Sequence, residues 1–443
     1  MLFLINKRKK HPKIFFGWWM TLVSAIITGL GQGVTSYGSS ALFKPIASEL
    51  GFTRAATSVA ASIRRLEFGI MAPVTGLLVD RFGPRWVIIV GICLMGTGLV
   101  SMKFISSIWA YYLVWGMIIG IGSTFALTIA VDKALTNWFV RKRGIAVSMR
   151  FVTISIVGVI VLPIITWLIA TQGWRITCLI WAGVMFASLP LMWFFMKQKR
   201  PEYYGLLPDG AKVESQAEAD TEDLIDKGVE YAANFQEAEF TLKQAMRTPA
   251  FWMLVITNTS GMIVHGGFNL HCIPFLTDMG IAPTLAGGMM AIMVFFTIPS
   301  MFLSGFIADR IRKERLRFLM AGAYLFQALG ITIFLLNQTT ASIFIFLIMY
   351  GFGNGSIRPL LIIIRGRFFG RKAYGSIEGA SVMLEAPVAL LAPVYTGWVY
   401  DTTGSYITAF ILFAVLAVFA TSLICLIKSP PDPAMNEHFS IHS

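Results

Sequence analysis

Gly76-Leu77-Leu78-Val79-Asp80-Arg81-Phe82-Gly83-Pro84-Arg85 is a charged hairpin wedged between two long apolar runs. It nearly recurs as Gly305-Phe306-Ile307-Ala308-Asp309-Arg310, about 229 residues later and again at the end of an apolar run. A repeat at that spacing implies two similar membrane-embedded halves. A carboxylate at a helix C-terminus faces the negative end of the dipole, so Asp80 needs a positive partner nearby. The hairpin therefore predicts a packed ionic contact at the membrane surface.

Composition agrees with a membrane chain. Of 443 residues, 56 % are apolar and 13 % charged, and the mean hydropathy is +0.70, outside the soluble globular class. About twelve apolar runs of roughly twenty residues follow one another, each long enough to cross a bilayer. Lys7-Arg8-Lys9-Lys10 precedes a full-length apolar run with no small-residue cleavage site, so no cleavable signal is expected. The net charge of +13 concentrates at alternate ends of the runs, as in Arg141-Lys142-Arg143, Lys197 to Arg200 and Arg310 to Arg317. That placement predicts both termini in the cytoplasm of a multi-pass inner (plasma) membrane protein. It also makes the basic excess a topology signal, with no nucleic acid as partner. Cys93, Cys178, Cys272 and Cys425 have neither metal spacing nor a disulfide pattern. No phosphate loop of the Gly-x-x-x-x-Gly-Lys-Ser/Thr type and no nucleophile constellation is present. Cofactor, metal and enzyme activity are accordingly not expected.

The chain divides into a six-helix bundle over 1–200, a linker over 201–247 and a second six-helix bundle with a short tail over 248–443. Before Arg247 the linker carries eleven acidic and three basic residues, which predicts a cytoplasmic segment disordered at its acidic centre. Phe240 to Arg247 reads as a short amphipathic lead-in helix. Further matches share the offset: Gly173-Trp174-Arg175-Ile176-Thr177 with Gly404-Ser405-Tyr406-Ile407-Thr408, Arg143-Gly144 with Arg371-Lys372 and Gly375, and Pro163 with Pro393. Six helices per half predict an axis of pseudo-symmetry along the membrane normal.

Two six-helix halves, a central loop and the Gly-x-x-x-Asp-Arg-x-Gly-x-Arg hairpin resemble the major facilitator superfamily over nearly the whole chain. Arg200-Pro201-Glu202-Tyr203-Tyr204-Gly205-Leu206-Leu207-Pro208-Asp209-Gly210 and Asn137-Trp138-Phe139 resemble its bacterial monocarboxylate-transporter-like members, relatives of the oxalate–formate antiporters. The resemblance implies an all-α fold of twelve transmembrane helices in two pseudo-symmetric bundles, with helices one, four, seven and ten around a central cavity. Two departures stand out. The eighth run is uncharged from Thr284 to Ala308, and the eleventh carries Glu385, where the antiporters place basic residues. The monocarboxylate family's Asp/Arg pair on helix eight is also missing.

Ionisable residues at bilayer depth are functional candidates, because each costs several kcal/mol unless paired or hydrated. In the second run Arg64 and Glu67 share a helix face and form a candidate ion pair, while Arg65 points elsewhere and needs a partner or a cavity. Arg358, beside Pro359, is a candidate carboxylate anchor, with Glu385 as its counter-ion or as a proton carrier. His265 and Asn269 share one face of the seventh run. Gln32 and Tyr37 add hydrogen-bonding groups in the first. The expected substrate site is therefore Arg358, Arg65, His265, Asn269, Tyr37 and Gln32, with Glu385 and Glu67 coupling a proton. The expected gate is Gly76, Asp80, Arg81, Gly83, Arg85, Arg143, Asp309 and Arg310. Asp80 should dock on Arg141 to Arg143 and the start of the eleventh helix. The second hairpin, with Arg312-Lys313 in place of the Gly-Pro turn, should latch less well.

The excess of buried arginine predicts a secondary transporter for a small organic anion, a monocarboxylate with a coupling proton or counter-anion, working as a monomer in the lipid bilayer. An oxalate–formate-type exchanger, an exporter of drugs or zwitterions, and a membrane-embedded sensor are the alternatives.

Overall fold

A computed structural model describes residues 14–52, 54–211, 221–234 and 238–431. The described residues contain helices and no strand. Helix α1 covers 16–50 and includes a π-helical turn at Gly33–Tyr37. It is followed by α2 (Arg54–Phe82), α3 (Pro84–Ser101) and α4 (Ile108–Trp138). A 53-residue helical stretch then breaks at Gly173, whose φ of 79° is open to glycine and strained for other residues; its two parts are α5 (143–172) and α6 (174–195). The second half comprises α7 (Pro249–Asp278), α8 (Pro283–Ala308), α9 (Leu316–Leu336), α10 (Thr340–Phe369), α11 (Tyr374–Thr403) and α12 (Ile407–Leu426). These are the twelve expected helices.

Length and apolarity alone qualify α3 to α6 and α8 to α12 as membrane spans. Two of the remaining three depart for visible reasons: α1 holds the π-turn, and α2 carries Arg64, Arg65 and Glu67. Exposed apolar side chains such as Val159 and Trp167 on α5 and Val394 and Trp398 on α11 form a surface suited to lipid rather than water.

Each half buries an apolar core, that of the first half being joined by Ile362 and Tyr374 of the second. The halves meet along two seams, α2 against α11 and α5 against α8, and a small apolar cluster of Phe68, Ala72, Ile129 and Val382 sits between them.

The linker differs from expectation. Residues 212–220 and 235–237, which include part of its acidic centre, lie outside the described residues. Thr221–Asn234 is helical, and Leu242–Met246 forms the expected lead-in, closed by a capping box between Thr241 and Gln244. Glu222, Asp223, Asp226 and Glu230 of the first of these helices are exposed, as charge predicts, whereas Glu202, Asp209 and Glu239 nearer the linker's ends find counter-charges and donors on the bundles.

Candidate functional site

A cavity of about 690 Å³ lies between the halves, bordered by α1, α2, α4, α7 and α11, a size suited to a small ligand. Three helix irregularities converge on it. The π-turn of α1 presents Thr35 and Ser36, a second π-turn in α4 (Tyr112–Ile118) presents Trp115, and α4 breaks again at Thr128. Such defects cost helix hydrogen bonds and recur at functional sites.

Arg64, Arg65 and Glu67 all line this cavity, as do Gln32 and His265. The expected Arg64–Glu67 ion pair does not form. Arg64 donates instead to the Thr35 carbonyl that the π-turn of α1 brings within reach. Glu67 accepts from the Thr124 hydroxyl of α4 at 3.3 Å, while its other oxygen has no partner among the described residues. Arg65 lines the cavity and forms no ion pair with a described residue. His265 has an unpartnered Nδ1 among the described residues. The side chains of Tyr37 and Asn269 lie outside the described residues.

Arg358 is half-buried on α10, does not border the cavity and does not pair with Glu385. Glu385 goes to Arg365 instead. The Arg365 guanidinium bridges Glu378 (2.7 Å) and Glu385 (2.6 Å), and Asn258 of α7 donates to the second Glu385 oxygen at 2.7 Å. Geometry decides this: Arg365 lies two turns beyond Arg358, on the level of the α11 carboxylates. In the first half, Arg150 of α5 pairs with Asp132 of α4 and donates to the Leu127 carbonyl at 2.8 Å. Each half thus holds a buried ion pair between corresponding helices, with the charges exchanged.

At the linker end of the bundle two contacts join the halves. Asp80, at the end of α2, accepts from the backbone N–H of Gly375 (3.3 Å) and Ser376 (2.7 Å) and from the Ser376 hydroxyl (2.6 Å) at the start of α11. Lys133 of α4 completes its coordination at 2.8 Å. Asp309, after α8, accepts from the N–H of Gly144 (2.7 Å) and Ile145 (2.8 Å) at the start of α5, with Arg367 at 3.7 Å. Each carboxylate caps a positive helix N-terminus on the opposite half. The approach requires paired glycines: a Cβ on Gly76 would overlap the Gly375 carbonyl, and one on Gly144 the Gly305 carbonyl.

The two contacts share a plan but not a donor set: beyond its two N–H donors Asp80 has the Ser376 hydroxyl and Lys133 at 2.8 Å, whereas the cation nearest Asp309, Arg367, stands at 3.7 Å. They need an aspartate and a glycine-lined helix start, and neither uses the Gly-Pro turn. Arg143 does not receive Asp80; its guanidinium folds back onto the Phe139 (3.0 Å) and Thr136 (3.1 Å) carbonyls. The other hairpin residues act within their own half. Gly83 caps α3 with φ 82°, Arg85 donates to the Met196 carbonyl at 2.8 Å, and exposed Arg81 and Arg310 lie over Phe82 and Phe306.

Burial pushes the Asp309 carboxyl up to about 6, against the Ile145 and Gly144 N–H groups and Arg367, which pull it down; Asp209 of the linker adds to the rise. A carboxyl raised in the joined state makes joining favoured by protonation, fully so below its ordinary range and progressively less as pH rises through about 6. Acidification from pH 7 to 5 should therefore shift the halves towards contact at this seam. Asp309→Asn should flatten that response in a distance measurement across α5 and α8.

Two repeated bundles, a cavity with charged side chains between them and paired contacts at one end define a multi-pass membrane transporter. A family model described as Major Facilitator Superfamily matches residues 21–393, and the chain belongs to that superfamily. It is 26 % identical over 440 residues to monocarboxylate transporter 12 of Xenopus laevis, covering 96 % of this chain and 92 % of that one. It is 24 % identical over 404 residues to monocarboxylate transporter 2 of Homo sapiens, covering 89 % and 82 %. In fold it is similar to the proton:xylose symporter XylE (TM-score 0.67, 12 % identity, 92 % and 94 % covered) and to the human organic anion transporter MFSD10 (TM-score 0.64, 15 % identity, 92 % and 98 % covered).

Proposed function

We propose that this transporter carries a short monocarboxylate with a proton by alternating access, from a site on Arg65 and Glu67 of α2. The observation that carries the reading is Arg65, a cavity-lining guanidinium with no ion-pair partner among the described residues, on the same cavity as the Glu67 carboxylate, one oxygen of which has no partner among the described residues. A guanidinium binds a carboxylate by two parallel charge-assisted hydrogen bonds. Glu67, on the same cavity, takes the proton; His265 and Gln32 supply further polar contacts. Arg358 takes over the carboxylate as the cavity opens to the other side. Glu385 is committed to Arg365 and Asn258, so proton coupling rests with Glu67. The names of the full-length relatives support the substrate class.

The halves over 1–200 and 248–443 rock about the site, and Asp80 and Asp309 together close the linker side. The basic run ends favour a cytoplasmic position for that side and for both termini, in a protein of the inner membrane. The protein works as a monomer, without cofactor and without covalent chemistry. Labelled short monocarboxylates should enter proteoliposomes in preference to dicarboxylates and organic cations; a preference for cations would overturn the substrate class. Glu67→Gln should lower proton-driven net uptake about tenfold or more, equivalent to about 1.4 kcal/mol, while substrate exchange persists. Net uptake at the wild-type rate would remove Glu67 from the coupling step.

A further inference from the structure

Arg371 belongs to the second half, in the turn between α10 and α11, yet its guanidinium is buried in a socket made by the first half and the linker. Nη1 donates to the Asn137 carbonyl at the end of α4 (3.1 Å) and to Glu202 in the Pro201–Tyr204 turn (3.0 Å). Nη2 donates to the Gly228 carbonyl of the Thr221–Asn234 helix at 3.3 Å. Arg371 and Glu202 are only 1 % and 2 % exposed. The linker helix reaches this far because Gly228 has no side chain; a Cβ there would overlap the Glu202 carboxylate.

The socket is anchored on the first half. Asp209 accepts from the backbone N–H of Val140 (3.2 Å), Arg141 (2.8 Å) and Lys142 (2.9 Å), and the Tyr231 hydroxyl donates to it at 3.2 Å. Its φ of 61° is a conformation uncommon outside glycine, held by these four donors. The socket also joins the α2 contact. Lys133, paired with Asp80, donates to the Arg371 and Lys372 carbonyls. Asp80, Lys133, Arg371 and Glu202 therefore form one unbroken chain from α2 to the linker.

We propose that the linker is part of the gate: its socket for Arg371 is a third closing contact, and the transporter opens on this side only when Arg371 withdraws. The proposal rests on the alternating-access reading above. Neutralising Glu202 leaves a buried guanidinium without its counter-charge, which disfavours the closed arrangement. Gly228→Val displaces the linker helix without removing a charge.

Spin labels at Phe82→Cys and Arg315→Cys, both exposed at the linker end of opposite halves, would report opening in lipid nanodiscs. Cys93, Cys178, Cys272 and Cys425 are replaced by alanine in the parent, and each variant is checked for the parent's melting temperature. Glu202→Gln and Gly228→Val should each raise the long-distance population several-fold, as should Asp80→Asn. If Asp80→Asn opens the linker side while both linker variants keep the parent distribution, the socket is only a tether and the proposal falls. If Asp80→Asn also leaves the distances unchanged, the closing role of the α2 contact fails, and the socket with it. Neither outcome depends on knowing the substrate.

Discussion

Replacing Arg65 with glutamine is expected to raise the KM for a short monocarboxylate about 10- to 100-fold, since a charge-assisted hydrogen bond contributes about 1.5–3 kcal/mol. The melting temperature should stay at the wild-type value, because Arg65 is exposed to the cavity and forms no ion pair with a described residue. Arg65→Lys should recover part of the affinity, keeping the charge and losing the planar fork. Arg64→Gln is the informative contrast. It removes the bond to the Thr35 carbonyl that links α2 to the π-turn of α1, so it should lower stability as well as uptake. An unchanged KM in Arg65→Gln would move the anchor elsewhere, with Arg358 the next residue to test.

Arg365→Met is expected to destabilise the protein by about 3–5 kcal/mol, the cost of leaving buried charges without their partner. Glu378 and Glu385 would then face each other inside the second half at 3 % and 1 % exposure, with Asn258 as the remaining donor to Glu385. Denaturation in mixed detergent micelles measures the loss. The triple variant Arg365→Met, Glu378→Gln, Glu385→Gln should recover much of it, because a neutral site of similar volume avoids the desolvation of all three charges. Failure of that recovery would mean that Arg365 stabilises through packing rather than charge.

Much of the architecture is legible in the sequence because its signals are local. The apolar run length, the alternation of basic ends and the two hairpins each need only a short window, and together they give twelve helices in two related halves. Part of the site is legible for the same reason: Arg64, Arg65 and Glu67 are conspicuous in an apolar run, and all three border the cavity. Their partners are another matter. The Arg64 bond depends on a π-turn in α1 and the Glu67 bond on the packing of α4, both products of tertiary contact. Arg365 is not among the residues that the sequence analysis singles out. The available signal is spacing: Glu378 and Glu385 are seven residues apart on α11 and so share a face, and one guanidinium, Arg365, spans both. The linker misleads because its charge pattern predicts solvation, whereas Glu202 and Asp209 spend their charge on Arg371 and on the start of α5.

Initial uptake of a labelled short monocarboxylate into proteoliposomes, with and without an inside-alkaline pH gradient, tests the central claim most directly. Proton-coupled alternating access predicts accumulation above equilibrium with the gradient, collapse on adding a protonophore, and loss of both in Arg65→Gln. Uptake that ignores the gradient and requires a trapped counter-anion would contradict it.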